Sequence, residues 1–434
     1  MSERFQIGHR GVAAIGGIML LLGLGATAAR VVKQYQTPGP FDEARQGMCD
    51  FHNGIYFPTR ALLAGESPYG ARYASEYPVA RQIPFFSPAI LVLHIPLAVL
   101  PLHVAEVLYF LISIGLVIVT GAVCAAASGL PRRIDAILVI SAAIVFARGG
   151  HITLFDGYFT FELMLATFLA IHWGGRKPFC AALALVVVSA KPTYIIPLGF
   201  LMFARGNYKS LSIGAVLSIL AAAGPFLWLA SNHGGGDLVT GAKDIVRQIQ
   251  ESQEIHRGML DESPVHSWTR IDLLSVIAKW MQSAPAEKAH LAVMLALLLP
   301  PMAVLHRRRR QGLDDGVAGI TGAIVITSML VSLYHQSYDA VLMFAPAVAV
   351  LAGALPQWRR IGVPQRIGLA ALMLVPAYNY LSTRMFLNRL DPSLEMVHVL
   401  TSVNGVALAI VLGLVCLLGV RARRPPEFDG AMSS

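Results

Sequence analysis

The chain has 434 residues, of which 55% are hydrophobic and 14% charged, and its mean hydropathy is +0.61. Soluble domains carry about 25% charged residues, so a water-soluble globular protein is excluded and a helical membrane protein, whose helices satisfy their own backbone in lipid, remains. The net charge of +9 does not indicate a nucleic-acid partner, because the basic residues sit in short loops and no aromatic-interleaved basic domain is present.

Arg4 and Arg10 precede an apolar run from Gly11 to Ala29. The pattern resembles a signal peptide, yet the run is long enough to span, and an uncleaved first helix over 11–30 is expected. Residues 31–103 form a long polar connection. Within it, Phe51, Ile55, Ala61, Leu62 and Leu63 recur at near-helical spacing, which predicts an amphipathic helix on the membrane surface with Asp50 at its start. His52, Tyr56 and Glu76 lie in the same loop. The stretch 87–101 holds prolines at 88, 96 and 101 and is too short for a full crossing.

The further apolar stretches are 104–126, 134–149, 157–173, 178–190, 193–204, 209–231, 288–305, 316–333, 337–355, 365–381 and 397–420. Their connections alternate. One kind is short and basic: Arg132-Arg133, Arg176-Lys177, Arg205 with Lys209, His306 to Arg310, Arg359-Arg360 and Arg421 to Arg424. The other kind carries Asp50, Glu76, Asp156, Asp272, His335 and Asp339. Lys and Arg excess marks the cytoplasmic side. Only a non-crossing 87–101 keeps every basic loop on that side. The expectation is an all-α polytopic protein with twelve spans, both termini inside, outer loops at 31–103 and 232–287, one membrane domain over 1–424 and a short cytoplasmic tail at 425–434. Cys49, Cys124, Cys180 and Cys416 suggest no disulfide framework.

The polar groups of the second kind of connection are the candidates for chemistry. Lys191 interrupts an apolar segment just before Pro192, a helix breaker. It is either a lysine snorkelling from a helix end or a cation for a phosphate. Arg148-Gly149-Gly150-His151 offers either an interfacial charge or a second cation with a donor. Asp156 nearby reads equally as a helix cap. Tyr334-His335-Gln336-Ser337-Tyr338-Asp339 reads as a polar cavity wall able to hold sugar hydroxyls, or, for Asp339, as a carboxylate on a helix dipole. In the second loop, His256, Arg257, Asp261, Glu262, His266, Trp268, Arg270 and Asp272 carry little specificity, and Trp268 suits either a sugar face or the membrane interface. No phosphate-binding glycine loop, HExxH or Asp-x-Asp motif occurs, so chemistry with no metal or other cofactor is expected.

At these residues the chain resembles the integral-membrane glycosyltransferases of family 87. Four patches carry the resemblance: Asp50-Phe51 through Ala61-Leu62-Leu63-Ala64-Gly65-Glu66-Ser67-Pro68-Tyr69; Phe85 to Pro101; Ala190-Lys191-Pro192; and Tyr334 to Asp339. In order and spacing they cover residues 45–355. The chain departs from the family at Gly150-His151-Ile152-Thr153, where Gly-Gln-x-Asn is common, and at Tyr77-Pro78-Val79, where Tyr-Pro-Pro is common.

The resemblance implies a GT-C architecture, a polyprenyl-phosphate sugar as donor, a lipid- or glycan-linked acceptor, and work on the non-cytoplasmic face. Asp50 matches the family's catalytic aspartate. It would act as general base, with Lys191, Arg148 and His335 around the donor phosphate and inversion at the anomeric carbon. His151, Tyr338, Asp339, Tyr56, His52 and Glu76 would contact sugar or acceptor. The alternatives are a flippase for a lipid-linked glycan, a ligase using a lipid pyrophosphate, and a non-catalytic scaffold.

Overall fold

The computed structural model describes residues 8–81, 87–131, 133–260 and 262–421. Arg4, Phe85, Arg132, Asp261, Arg423, Arg424 and the tail at 425–434 lie outside the described residues. The chain is all-helical; among the described residues no strand forms, only isolated bridges such as Arg270 with Gln336.

Five helices are long and apolar enough to cross a membrane: His9–Lys33, Leu102–Ala127, Tyr208–Asn232, Lys288–Arg310 and Leu394–Arg421. A sixth crossing exists if Ile134–Phe146 and Arg148–Asp156, bent by 74° at their junction, form one span. The other expected spans are shorter helices: Thr160–Trp173, Pro178–Val188, Pro192–Ala204, Ile320–Ser332, Ser337–Ala352 and, at 365–381, Val363–Tyr378. Many of the apolar side chains that stay exposed sit on these helices, among them Ile18, Leu21, Leu22, Leu111, Ile219 and Leu220. Outward-facing apolar side chains over a buried core are what a bilayer requires of a helical bundle. The stretch 87–101 forms two short helices, Ala89–Leu93 and Ile95–Ala98, neither long enough to cross.

Helix His9–Lys33 buries Gly16, Leu20, Gly23 and Thr27, a single stripe at three- and four-residue spacing. A Cβ on Gly16 would lie 3.0 Å from the Val139 amide nitrogen, and one on Gly23 2.9 Å from Val145. These glycines let the first helix press onto Ile134–Phe146, as small residues do between helices in lipid.

The expected amphipathic surface helix is instead an interior one. Cys49–Phe51 and Phe57–Ala64 run on through a π-turn at His52–Tyr56, and Phe51, Asn53, Ile55, Tyr56, Ala61 and Leu62 are all buried. The apolar spacing was real, but the polar positions between, His52 and Asn53, bury too because they find partners. His52 Nε2 bonds to Glu106 and the Asn53 side-chain Oδ1 accepts from the Ala80 amide at 2.9 Å.

The basic loops are also tied. Arg205 reaches the Ile171 carbonyl at 2.9 Å and both oxygens of Asp314 at 3.0 and 2.9 Å. Arg308 reaches Asp315 at 3.0 Å and the Leu313 carbonyl at 2.8 Å. Asp315 in turn accepts from the amides of Ile320 and Thr321, opening the helix Ile320–Ser332.

Candidate active site

A cavity of about 960 Å³ opens between the start of the 49–64 helix, the bent helix Arg148–Asp156, the 259–269 and 336–338 loops, and the segment 380–388. The bend that shapes it is set by two glycines. A Cβ on Gly150 would sit 1.8 Å from the Ile144 carbonyl oxygen, and one on Gly149 2.9 Å from the Tyr338 backbone. Only glycine permits the chain to fold back here, and the fold aims Arg148 and His151 into the cavity.

Asp50 lines the cavity, and no hydrogen bond to its carboxylate forms among the described residues. Its position is fixed from behind. Met48 adopts φ +62° and donates its amide to the Phe155 carbonyl oxygen at 2.8 Å, while Gly157, at φ +75°, packs on Phe51. The start of one helix thus abuts the end of another, and Asp156 lines the same cavity as Asp50. Burial pushes the Asp50 carboxyl up to about 6, with Arg81 pulling it down and Glu262 pushing it up. A carboxylate that is lifted, unpaired and turned to a cavity is suited to accept a proton.

Glu262, also on the wall, accepts from the Tyr334 hydroxyl and from Gln336 Nε2 at 2.9 Å. Its loop is zipped to the neighbouring connection by the bond from Ile271 N to His335 O at 3.0 Å and from Ser337 N to Thr269 O at 2.8 Å. Trp268 reaches the cavity, where its ring carries the Arg384 guanidinium at 5.6 Å; Arg384 is itself paired with Glu43 at 2.9 Å. Arg270 and Asp272 form a buried two-bond pair at 2.8 and 2.9 Å, away from the cavity wall.

Of the residues expected at the site, Asp50, Arg148, His151 and Tyr338 line the large cavity. Lys191 lines only a recess of about 50 Å³ that shares Asp50 and Tyr338 with it. Its ammonium is not available as a free phosphate cation. It bonds both oxygens of Asp339 at 3.0 Å and lies 4.9 Å from the ring centroids of both Tyr194 and Tyr338, with Tyr158 at 5.9 Å. Asp339 is fully buried, held also by the Tyr194 hydroxyl at 2.6 Å and the Gln336 amide at 3.0 Å. It is the counter-ion of Lys191 and the cap of its own helical turn, not a sugar contact.

Four further expectations are corrected. His335 is fully buried and absent from both cavity walls. Burial brings its imidazole down to about 4 against the pull of Asp339, so at neutral pH it carries no charge for a phosphate. Tyr56 is spent on the Leu100 carbonyl at 2.8 Å and His52 on Glu106. Glu76 is exposed, absent from both cavity walls, and paired with Arg72 at 2.7 Å. Arg30, which is not among the residues expected at the site, also lines the cavity from the last turn of the first helix. The signal was present: Thr27 is the last residue of the buried stripe, and Arg30 lies three positions further on. No group of three or more His, Cys, Asp or Glu side chains able to hold a metal ion occurs among the described residues.

No family model, curated protein or solved structure matches this chain.

Proposed function

We propose that the protein is a membrane glycosyltransferase that moves a sugar, mannose or a pentose such as arabinofuranose, from a polyprenyl phosphate to a hydroxyl of a lipid- or glycan-linked acceptor. The observation that carries this reading is the unpaired Asp50 carboxylate facing a cavity that also holds the buried Arg148. A polyprenyl-phosphate sugar brings its own leaving group, so the protein must supply a base and a cation. Asp50 takes the proton of the acceptor hydroxyl as the new bond to the anomeric carbon forms. The bond from that carbon to the phosphate oxygen breaks on the opposite face, giving inversion, and the phosphate departs with the bond's electron pair as polyprenyl phosphate, its charge met by guanidinium groups.

In this reading the cavity faces the non-cytoplasmic side, because the arginine-rich loops flank the opposite ends of the helices. The shorter apolar helices complete a twelve-pass GT-C arrangement around it, with the 31–103 connection folded over the cavity. The similarity to family 87 in the Asp50 and Tyr334 to Asp339 patches supports the same reaction class. The test is transfer by purified protein from synthetic polyprenyl-phosphate mannose or arabinose to a panel of acceptors. Asp50→Asn is expected to lose transfer and keep donor binding; full turnover by that variant refutes the reading.

A further inference from the structure

We propose that Arg30 and Arg148 form a binding site for the phosphate of a membrane lipid, reached sideways from the bilayer past the segment 380–388. The lipid's part in catalysis rests on the glycosyl-transfer reading; the binding site itself does not.

Arg148 is 1% exposed. Its Nη1 donates to the Asn379 carbonyl at 3.3 Å and to the Ser382 hydroxyl, while its Nε has no partner. No carboxylate lies within ion-pair distance of it among the described residues, yet it lines the cavity. A buried guanidinium with no counter-ion is costly, and the cavity is where an anion can reach it.

Arg30 is held in place by neutral groups. Its Nε donates to Gln34 at 2.9 Å, its Nη1 to His151 Nε2 at 2.6 Å, and its plane lies over Phe155 at 4.0 Å from the ring centroid. His151 can accept because its other nitrogen bonds to the Thr27 hydroxyl at 3.1 Å, which donates onward to the Gly23 carbonyl at 2.9 Å. That relay orients the guanidinium without neutralising it. Arg30 also has no ion pair among the described residues, and it spends two of the five N–H donors a guanidinium carries. Both guanidinium groups line the same cavity, and both are close enough to the Tyr380 hydroxyl to act on it; guanidinium forks match the oxygens of a phosphate. Of the carboxylates around the cavity, Glu43 is paired with Arg384 and Glu262 is bound to Tyr334 and Gln336, which leaves Asp50 and Asp156 beside the anion.

The surroundings favour a lipid over a free anion. Arg30 ends a helix whose outer face exposes Ile18, Leu21 and Leu22. The facing segment exposes Tyr380, Leu381 and Met385, and both Tyr380 and Met385 belong to the cavity wall. The hydroxyls of Tyr378 and Tyr380 pin this segment to the carbonyls of Ala143 and Phe146 at 2.5 and 2.8 Å. An apolar chain leaving the cavity here passes along apolar surface, and its phosphate stays between the two arginines.

The experiment measures binding of a long-chain polyprenyl monophosphate to the full-length protein in phosphatidylcholine nanodiscs, with the matching polyprenol and inorganic phosphate as controls. Wild type is expected to bind the polyprenyl phosphate, to discriminate against the alcohol, and to be insensitive to millimolar inorganic phosphate. Arg30→Gln and Arg148→Gln should each weaken binding about tenfold or more, the loss expected for charge-assisted hydrogen bonds. Arg30→Gln decides alone if Arg148→Gln does not fold, since Arg30 sits at a helix end. Undiminished binding by folded Arg30→Gln overturns the site, and equal binding of inorganic phosphate overturns the lipid as its ligand. Loss of binding in Arg30→Gln with no sugar transfer by wild type from any donor leaves the site standing and removes the glycosyltransferase. Transfer by wild type with Arg30→Gln binding normally does the reverse.

Discussion

Met48 donates its amide to the Phe155 carbonyl oxygen at 2.8 Å, and through that one bond the start of the 49–64 helix is locked to the end of Arg148–Asp156. Asp50 lies two residues after the donor and Asp156 one residue after the acceptor, so a backbone bond rather than a side-chain contact brings two carboxylates to one cavity. Since burial holds the Asp50 carboxyl near 6 and the base must be ionised to act, kcat/KM for transfer should climb as pH rises through about 6 and level off above it. Asp50→Asn should lower the rate by at least about 10²-fold, the usual worth of a general base. A pH profile without a rising limb between 5 and 7 would count against Asp50.

Gly150→Ala places a methyl group 1.8 Å from the Ile144 carbonyl oxygen, a backbone atom that cannot swing aside. The variant should fail to give a monodisperse peak on size-exclusion chromatography. Gly157→Ala meets Phe51 at 2.7 Å and must hold φ +75°, a left-handed conformation costing about 1–2 kcal/mol for a residue with a Cβ. It should fold with a lowered thermal midpoint.

Lys191 and Asp339 are a buried pair, 2% and 0% exposed. Removing one partner of such a pair costs about 3–5 kcal/mol, whereas replacing both with apolar residues is often near neutral. Lys191→Met should therefore lose most of its folded yield, and Lys191→Met with Asp339→Leu should recover it. Polyprenyl-phosphate binding by the recovered double variant should stay close to wild type. A folded double variant unable to bind would return Lys191 to the phosphate.

Lys279 lies in the connection between Tyr208–Asn232 and Lys288–Arg310, buried to 1% exposure and with no partner for its Nζ. Burial lowers it from 10.5 to about 8. Between those values the unfolded chain holds more proton than the folded one, so stability rises with pH across that window. Lys279→Met should melt later than wild type at pH 7, each pKa unit being worth about 1.4 kcal/mol, and the difference should shrink towards pH 10. An equal gap at both pH values would show that Lys279 holds its proton as firmly in the folded chain as in the unfolded one.

The helices of membrane length, the all-helical content and the broken, short-helical form of 87–101 were legible because they depend on apolar run length and proline spacing. Asp50, Arg148, His151 and Tyr338, which line the cavity, were singled out as charged and hydrogen-bonding residues in the connections between apolar stretches. What stayed hidden was pairing. Lys191 and Asp339 are separated by nearly 150 positions, and nothing local marks two candidates as each other's counter-ion. The same holds for His52 with Glu106. Arg30 escaped because an arginine at a helix end reads as an interfacial anchor until the neighbouring helix is in place. The expected count of twelve goes beyond the five to six helices that are long and apolar enough to span, because a short apolar run reads the same in sequence whether or not its helix crosses.

Arg205 and Arg308 clasp Asp314 and Asp315 in the folded protein, so two basic loops contribute less net charge after folding than a count of their residues suggests. Lys and Arg steer a helix during insertion, before any clasp has formed. On the proposed orientation the same arginines would serve at two moments in the life of the chain, first as topological signals and later as mechanical fasteners for the turn at 311–319. An Arg205→Lys change would preserve the first role and impair the second. Misoriented and misfolded variants at these loops are therefore separable defects.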